Sequence, residues 1–203
     1  FYFTMIRFIK YLLTAILFFS TIALAEKPPS SKATGFFIAF GVGPRMPIGD
    51  FSSTTDIGYG VNVEFSYSDT DFLPVFLFAN VGYEQYPGSQ SYFQETEYSN
   101  FHTNALPVNV GARYYFAPLL ENIVLLMPIV QASASYTYSH TLIEYDEGIR
   151  TPDRTEDNNK FGFTAGAGVS MFMMELIASY NYLPSNQFIS VDLKVRIPLY
   201  ISF

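Results

Sequence analysis

ISVDLKVRIPLYISF, residues 189–203, decides how the rest of the chain is read. Ile189, Val191, Leu193, Val195, Ile197, Leu199, Ile201 and Phe203 occupy every second position. Ser190, Asp192, Lys194, Arg196, Pro198, Tyr200 and Ser202 fill the places between. A period of two is the signature of an extended strand, whose side chains point alternately to opposite faces. One face is hydrocarbon without a charge, and the other carries an acid and two bases. A strand with two such faces separates two different media.

The pattern recurs upstream. Ile57, Tyr59, Val61, Val63, Phe65 and Tyr67 oppose Gly58, Gly60, Asn62, Glu64 and Ser66. Leu106, Val108, Val110, Ala112, Tyr114 and Phe116 oppose Ala105, Pro107, Asn109, Gly111, Arg113 and Tyr115. Further segments lie at 35–44, 74–86, 122–139, 160–171 and 174–182. The third segment, around Val75 to Phe78, and the start of the fifth, Ile123 to Ile129, are apolar on both faces and match least well. Pro128 lacks the N–H that a ladder needs, so a bulge or interruption is expected there. Segments of about ten residues, tilted near 45°, rise about 24 Å, close to the apolar height of a membrane barrel. The expected fold is all-β: an eight-stranded antiparallel up-and-down transmembrane β-barrel.

Composition agrees with that expectation. Hydrophobic residues make up 49% of the chain and charged residues 14%, against about 25% charged in an ordinary soluble domain. Beyond the N-terminus no apolar run reaches the roughly 18 residues of a spanning helix. The apolar residues are therefore interleaved with polar ones. Glycines crowd the polar face (Gly41, Gly43, Gly58, Gly60, Gly82, Gly111, Gly162, Gly166 and Gly168), which suits a narrow lumen. The opposite face carries no formal charge, which suits lipid. The net charge of −7 argues against nucleic acid as a partner. The absence of cysteine excludes disulfides, thiolate metal sites and a cysteine nucleophile.

Domain organisation follows from the first residues. Phe1 to Thr4 read as material upstream of Met5. Arg7 and Lys10, the apolar stretch Tyr11 to Leu24 and the small-residue site Ala23-Leu24-Ala25 describe a cleavable export signal. Residues 1–25 are thus expected to be upstream residues and signal, with cleavage near Ala25. Residues 26–34 are expected to be a flexible lead-in, and 35–203 the barrel. A chain entering from the periplasm should make long outer loops and short periplasmic turns; the expected outer loops are 45–55, 87–103, 140–159 and a short 183–187, and the expected turns 68–73, 117–121 and 172–173. Tyr59, Tyr83, Tyr136, Tyr138, Phe161, Phe163, Tyr180 and Tyr182 should form the upper aromatic girdle. Phe65, Tyr67, Tyr114, Phe116 and Phe203 should form the lower one.

Seven charges fall on the inward face: Glu64, Glu84, Arg113, Glu175, Asp192, Lys194 and Arg196. Strand direction puts Glu64, Arg113, Glu175 and Arg196 in the periplasmic half, with Asp192 and Lys194 higher. Buried charges must pair, so these residues read as an ion-pair plug. A narrow polar conduit or small-solute transport barrel is the alternative. In the loop 87–103, Tyr92, Phe93, Tyr98 and Phe101 among Gln and Asn either pack over the barrel mouth or suit contact with an extracellular protein or glycan. The acidic loop 140–159 reads as solvated, with weak divalent-cation bridging to lipopolysaccharide as its functional alternative.

A lipid-modifying enzyme would need His102 or His140 with a serine and an acid. Ser139 and His140 are adjacent on one strand and must face apart, so no catalytic residue is expected. No cofactor or metal site is expected either. Gly162, Gly166 and Gly168 sit in a strand pattern, not in a phosphate-binding loop.

The ending Val195 to Phe203, and the opening Gly35-Phe36-Phe37-Ile38-Ala39-Phe40-Gly41-Val42-Gly43 with Pro47-Ile48-Gly49-Asp50-Phe51, resemble the outer membrane protein β-barrel domain of porin-family small barrels. These include the outer membrane protein A-like transmembrane barrel, here without its periplasmic domain. The resemblance covers roughly residues 35–203. It implies residence in the bacterial outer membrane among lipid and lipopolysaccharide, and no single shared activity. It also implies insertion by the barrel assembly machinery, which would read Leu199, Ile201 and Phe203.

Overall fold

The computed structural model describes residues 34–69, 73–89, 98–119, 126–145 and 154–202. Residues 1–33 lie outside the described residues, and with them the expected signal, its cleavage near Ala25 and most of the lead-in; so do Tyr92, Phe93 and Phe203. The strands are β1 (Thr34–Ile48), β2 (Gly58–Asp69), β3 (Leu73–Pro87), β4 (Tyr98–Tyr115), β5 (Leu126–Tyr145), β6 (Arg154–Met171), β7 (Met174–Tyr182) and β8 (Gln187–Ser202). One helical turn, α1 (Phe51–Thr54), follows β1. Each strand pairs antiparallel with its neighbours in sequence, and β1 pairs with β8, so the sheet closes.

Closure carries a stagger that can be counted. Stepping across the pairs from Phe36 leads to Tyr67, Leu77, Ala112, Ala132, Ala165, Tyr180, Ile189 and back to β1 at Met46, ten residues further on. Eight strands about 4.8 Å apart with that shear tilt by about 40°. Paired residues share a face, so this path stays on the outside of the barrel.

The outside is greasy. Phe40, Val42, Val61, Val81, Val110, Leu176 and Leu193 are each at least 43% exposed. Tyr59, Tyr83, Phe161 and Phe163 stand exposed toward one end, and Phe36, Phe65 and Tyr67 toward the other. The seven charges assigned to the inward face are all buried. Such a surface is costly in water and suited to hydrocarbon, with aromatic rings at headgroup depth. No described helix is long and apolar enough to cross a membrane. Crossing by strands needs none.

Four expectations need correction. First, the strands on one side run far beyond the apolar segments. β4 begins at Tyr98, β5 continues to Tyr145 and β6 begins at Arg154, so much of the expected loops 87–103 and 140–159 is sheet. Thr34, assigned to the lead-in, is likewise the first residue of β1. At 20 residues, β5 rises about 50 Å at this tilt, roughly twice the apolar height of such a barrel. The backbone ladder does not depend on side-chain polarity. Above the greasy belt the outward face turns mostly polar and the inward face mixes polar with apolar residues such as Phe101 and Ile143, so hydrophobic alternation disappears while the pairing continues.

Second, β1 runs to Ile48, which moves Arg45 from an expected loop into the barrel wall. Third, of the two outcomes expected at Pro128, the interruption occurs and the bulge does not. Pro128 pairs with Val169 of β6, and the β4 ladder ends beside it at Tyr115 and Ile129. Phe116 N donates to the Pro128 oxygen, and the return bond is the one a proline cannot make.

Fourth, the terminal alternation breaks. Pairing passes from Phe37 with Pro198 to Phe36 with Tyr200, a β-bulge at Leu199. Tyr200, expected inward, shares the outward face of Phe36 and is 61% exposed.

Candidate functional site

The buried charges among the described residues are four acids, Glu64, Glu84, Glu175 and Asp192, and four bases, Arg45, Arg113, Lys194 and Arg196. They come from β1, β2, β3, β4, β7 and β8, and ring closure alone brings them together. The seven expected positions held a net single negative charge. Arg45 supplies the missing base, so the buried formal charges sum to zero.

The charges form two groups. In the first, Arg113 grips Glu64 with both terminal nitrogens, Nη1 to Oε1 and Nη2 to Oε2, each at 2.8 Å. Lys194 Nζ reaches Glu64 Oε2 at 2.6 Å, and Arg196 Nη2 reaches its Oε1 at 2.8 Å. Glu175 accepts from Arg113 Nη1 at 3.0 Å and from Arg196 Nε at 2.8 Å. The Tyr115 hydroxyl also donates to Glu175, and Arg196 donates to the Ser66 hydroxyl. Gln131 Oε1 accepts from Arg113 Nε and Nη2 at 3.0 and 2.7 Å. Three bases face two acids, and the surplus positive charge lies partly over rings. The Arg113 guanidinium sits 5.0 Å from the Phe78 centroid, and that of Arg196 sits 5.9 Å from both Phe37 and Phe76. This explains why β3 is apolar on both faces: its inward rings serve the cations.

In the second group one base faces two acids. Arg45 Nε meets Glu84 Oε1 at 2.7 Å and its Nη2 meets Asp192 Oδ1 at 2.9 Å. Tyr86 Oη donates to Glu84 Oε2 at 2.8 Å and Asn62 Nδ2 donates to Asp192 Oδ1 at 3.0 Å. Asn80 Nδ2 then supports Asn62 Oδ1 at 3.1 Å. Lys194, placed above the lower group by strand direction, reaches down to Glu64 and belongs with it.

Glycine makes room for this packing. A Cβ on Gly60 would stand 2.7 Å from Arg45 Nη2, and one on Gly43 would stand 1.7 Å from the Val191 carbonyl oxygen. Between the groups a cavity of about 40 Å3 remains, lined by Asn109, Gln131, Ser133 and Thr164 among others. That is room for a few water molecules and no more. Asn109 Oδ1, buried without a protein partner among the described residues, belongs to its lining.

Aromatic rings stand at both ends of the polar column. Phe37 meets Phe76 at 5.7 Å between centroids, and Phe76 meets Tyr115 at 4.7 Å. At the other end α1 pushes Phe51 into the mouth, 4.9 Å from Tyr86, which is 5.7 Å from Phe188. The segment after α1 is held there by main-chain bonds, Asp56 N to Pro87 O at 2.9 Å and Ser89 N to Thr54 O at 3.0 Å.

The remaining assigned residues fare differently. Phe101, expected in a contact loop, lies in β4, faces inward and is 8% exposed. Its ring therefore lines the inside of the barrel mouth instead of standing on an exposed loop, because β4 starts earlier than its hydrophobic pattern does. Tyr98 pairs with Tyr145 at the start of the same strand. Leu199 and Ile201 are exposed at the end of β8. His140 Nδ1 lies 2.6 Å from Asp157 Oδ1 on the outward face. Ser139 faces inward and donates to the Asn158 carbonyl at 3.3 Å. The two residues lie on opposite faces and form no nucleophile–base pair.

Arg45 is the functional residue that the sequence reading missed. A signal for it existed, since Gly41, Gly43 and Arg45 continue the inward register of β1. Pro44 and Pro47 masked it by resembling loop residues.

No protein-family model matches this chain, and no curated protein sequence matches it. Solved structures do resemble it. Neisserial surface protein A is 15% identical, with a TM-score of 0.44 over 81% of this chain and 97% of that one. The attachment invasion locus protein Ail of Yersinia pestis is 13% identical, with a TM-score of 0.44 over 83% of this chain and all of that one. The N-terminal β-barrel domain of Pseudomonas aeruginosa OprF is 12% identical, with a TM-score of 0.43 over 82% and 100%. The strand pairings of this chain, rather than these likenesses, define its fold.

Proposed function

We propose that this chain is an integral outer-membrane barrel of a bacterial envelope, non-enzymatic, whose lumen is plugged by its own side chains and whose role is structural or one of surface contact. The observation that carries the reading is the pairing of a charge-free, greasy exterior with a neutral ion-pair column sealed by rings at both ends. A hydrated pore needs a continuous polar path. Here eight buried charges spend their valence on one another, and the free space between the two groups is about 40 Å3. The plug is consistent with a static, stiff wall, and the polar sheet extension above the belt is the part available for contact outside the cell.

Reconstitution in planar bilayers tests the plug. The expected record is silent or shows only brief, small events, and a large, stable conductance overturns it. A deletion strain tested for detergent sensitivity and adhesion reports whether the barrel supports the envelope or a surface contact.

A further inference from the structure

Above the Phe51 seal lies a second concavity that the plug does not use. It is a cup of about 400 Å3, within the size range of small-molecule sites. Its floor is the turn carrying Asp50, Thr54 and Thr55, and its wall is the inward face of the β4–β5–β6 extension. Its far rim is the β7–β8 turn with Ser185 and Asn186.

The lining chemistry is specific. Thr103, Ser139 and Thr141 present hydroxyls and Asn158 presents an amide. A hydroxyl both donates and accepts, which is what another hydroxyl requires of its partner. Thr103 and Thr141 already form such a pair, Oγ1 to Oγ1, at 2.9 Å. The lining holds two acids, Asp50 and Glu156, and one base, Lys160. Glu156 is held by Arg154 at 3.0 Å, and Lys160 donates to the neutral Asn186 Oδ1 at 2.9 Å. Phe51, Phe101 and Ile143 add apolar surface. A lining with no surplus of positive charge has little hold on an anion, and hydroxyls beside rings match a neutral polyol.

The rim supports a ligand role. Leu183 to Asn186 form a turn closed by Asn186 N to Leu183 O at 2.9 Å, with Pro184 second and Ser185 third. Ser185 has φ 62, a conformation for which glycine or asparagine is the usual choice at that place. A serine there carries strain that glycine would relieve, and it adds a hydroxyl to the cup.

We infer that this cup binds one neutral sugar residue of a surface glycan, read by Thr103, Ser139, Thr141 and Asn158. The inference rests on the reading of the chain as an outer-membrane barrel with this end outside the cell. The test uses the full chain in lipid nanodiscs and immobilised galactose, N-acetylglucosamine and N-acetyllactosamine, with sialyllactose and a heparin oligosaccharide as charged counterparts. Expected are binding of at least one neutral sugar, a loss of about tenfold or more in Thr141→Val and Asn158→Leu, and retention in Thr141→Ser. Binding of the charged probes alone, of none, or equally by wild type and both variants overturns the inference.

A second arm separates its failure from that of the membrane reading. The sequence has no cysteine, so Ser185→Cys offers a single thiol to a membrane-impermeant maleimide on intact cells. Labelling without sugar binding overturns the cup alone. Absence of labelling on intact cells, with labelling after lysis, overturns both.

Discussion

Replacing Arg45 with methionine removes the only base among the described residues that meets Glu84 and Asp192, at 2.7 and 2.9 Å. The methionine keeps most of the apolar stem, so the change is mainly electrostatic. Glu84 retains the Tyr86 hydroxyl and Asp192 retains the Asn62 amide, but neither keeps a cation. Removing one partner of a buried pair typically costs about 3–5 kcal/mol. Here two carboxylates are stranded, so the upper end of that range is expected.

The compensating change follows from the same contacts. In Arg45→Met with Glu84→Gln and Asp192→Asn, the side-chain carbonyls can still accept from Tyr86 and Asn62, and no buried charge is left alone. Most of the loss should return, because neutral polar groups with partners cost little to bury. Urea titration in lipid vesicles, followed by circular dichroism, measures both proteins. A cost below about 1 kcal/mol for the single change, the size of an exposed ion pair, would refute the reasoning. So would a triple variant no more stable than the single one.

Arg113→Ala removes the contacts to Glu64, Glu175 and Gln131, yet both acids keep Arg196, and Glu64 keeps Lys194. It should lower heat resistance on gels without producing a large, steady conductance in bilayers. Val110 is 60% exposed on the outward face, and Val110→Arg should cost about 2–4 kcal/mol in a lipid-unfolding titration if that face meets mid-bilayer. No change there would argue for water outside instead. Phe172 has φ 55 in the turn between Met171 and Met174, and Phe172→Gly should add about 1 kcal/mol of stability by relieving the left-handed backbone.

The amino-acid order alone was sufficient for the strand count, the antiparallel wiring and the inward or outward sense of most residues in the belt. Each of these is local: period two appears wherever one face of a strand meets hydrocarbon and the other does not. It also placed Glu64, Glu84, Arg113, Glu175, Asp192, Lys194 and Arg196 on the inward face. Where that contrast ends, legibility ends with it. Residues 98–104 and 154–160 are strand in a region whose outward face no longer meets hydrocarbon, so they read as loop, and Phe101 was misplaced for the same reason.

Tertiary structure decided the rest. Which acid meets which base depends on a ten-residue stagger accumulated over eight pairings, and no single strand contains it. The inclusion of Arg45 depends on β1 continuing past Pro44, and closure against β8 stabilises that continuation. The cup at the mouth beside α1 joins β4, β5 and β6 to two turns far away in sequence, so it exists only once the ring has closed.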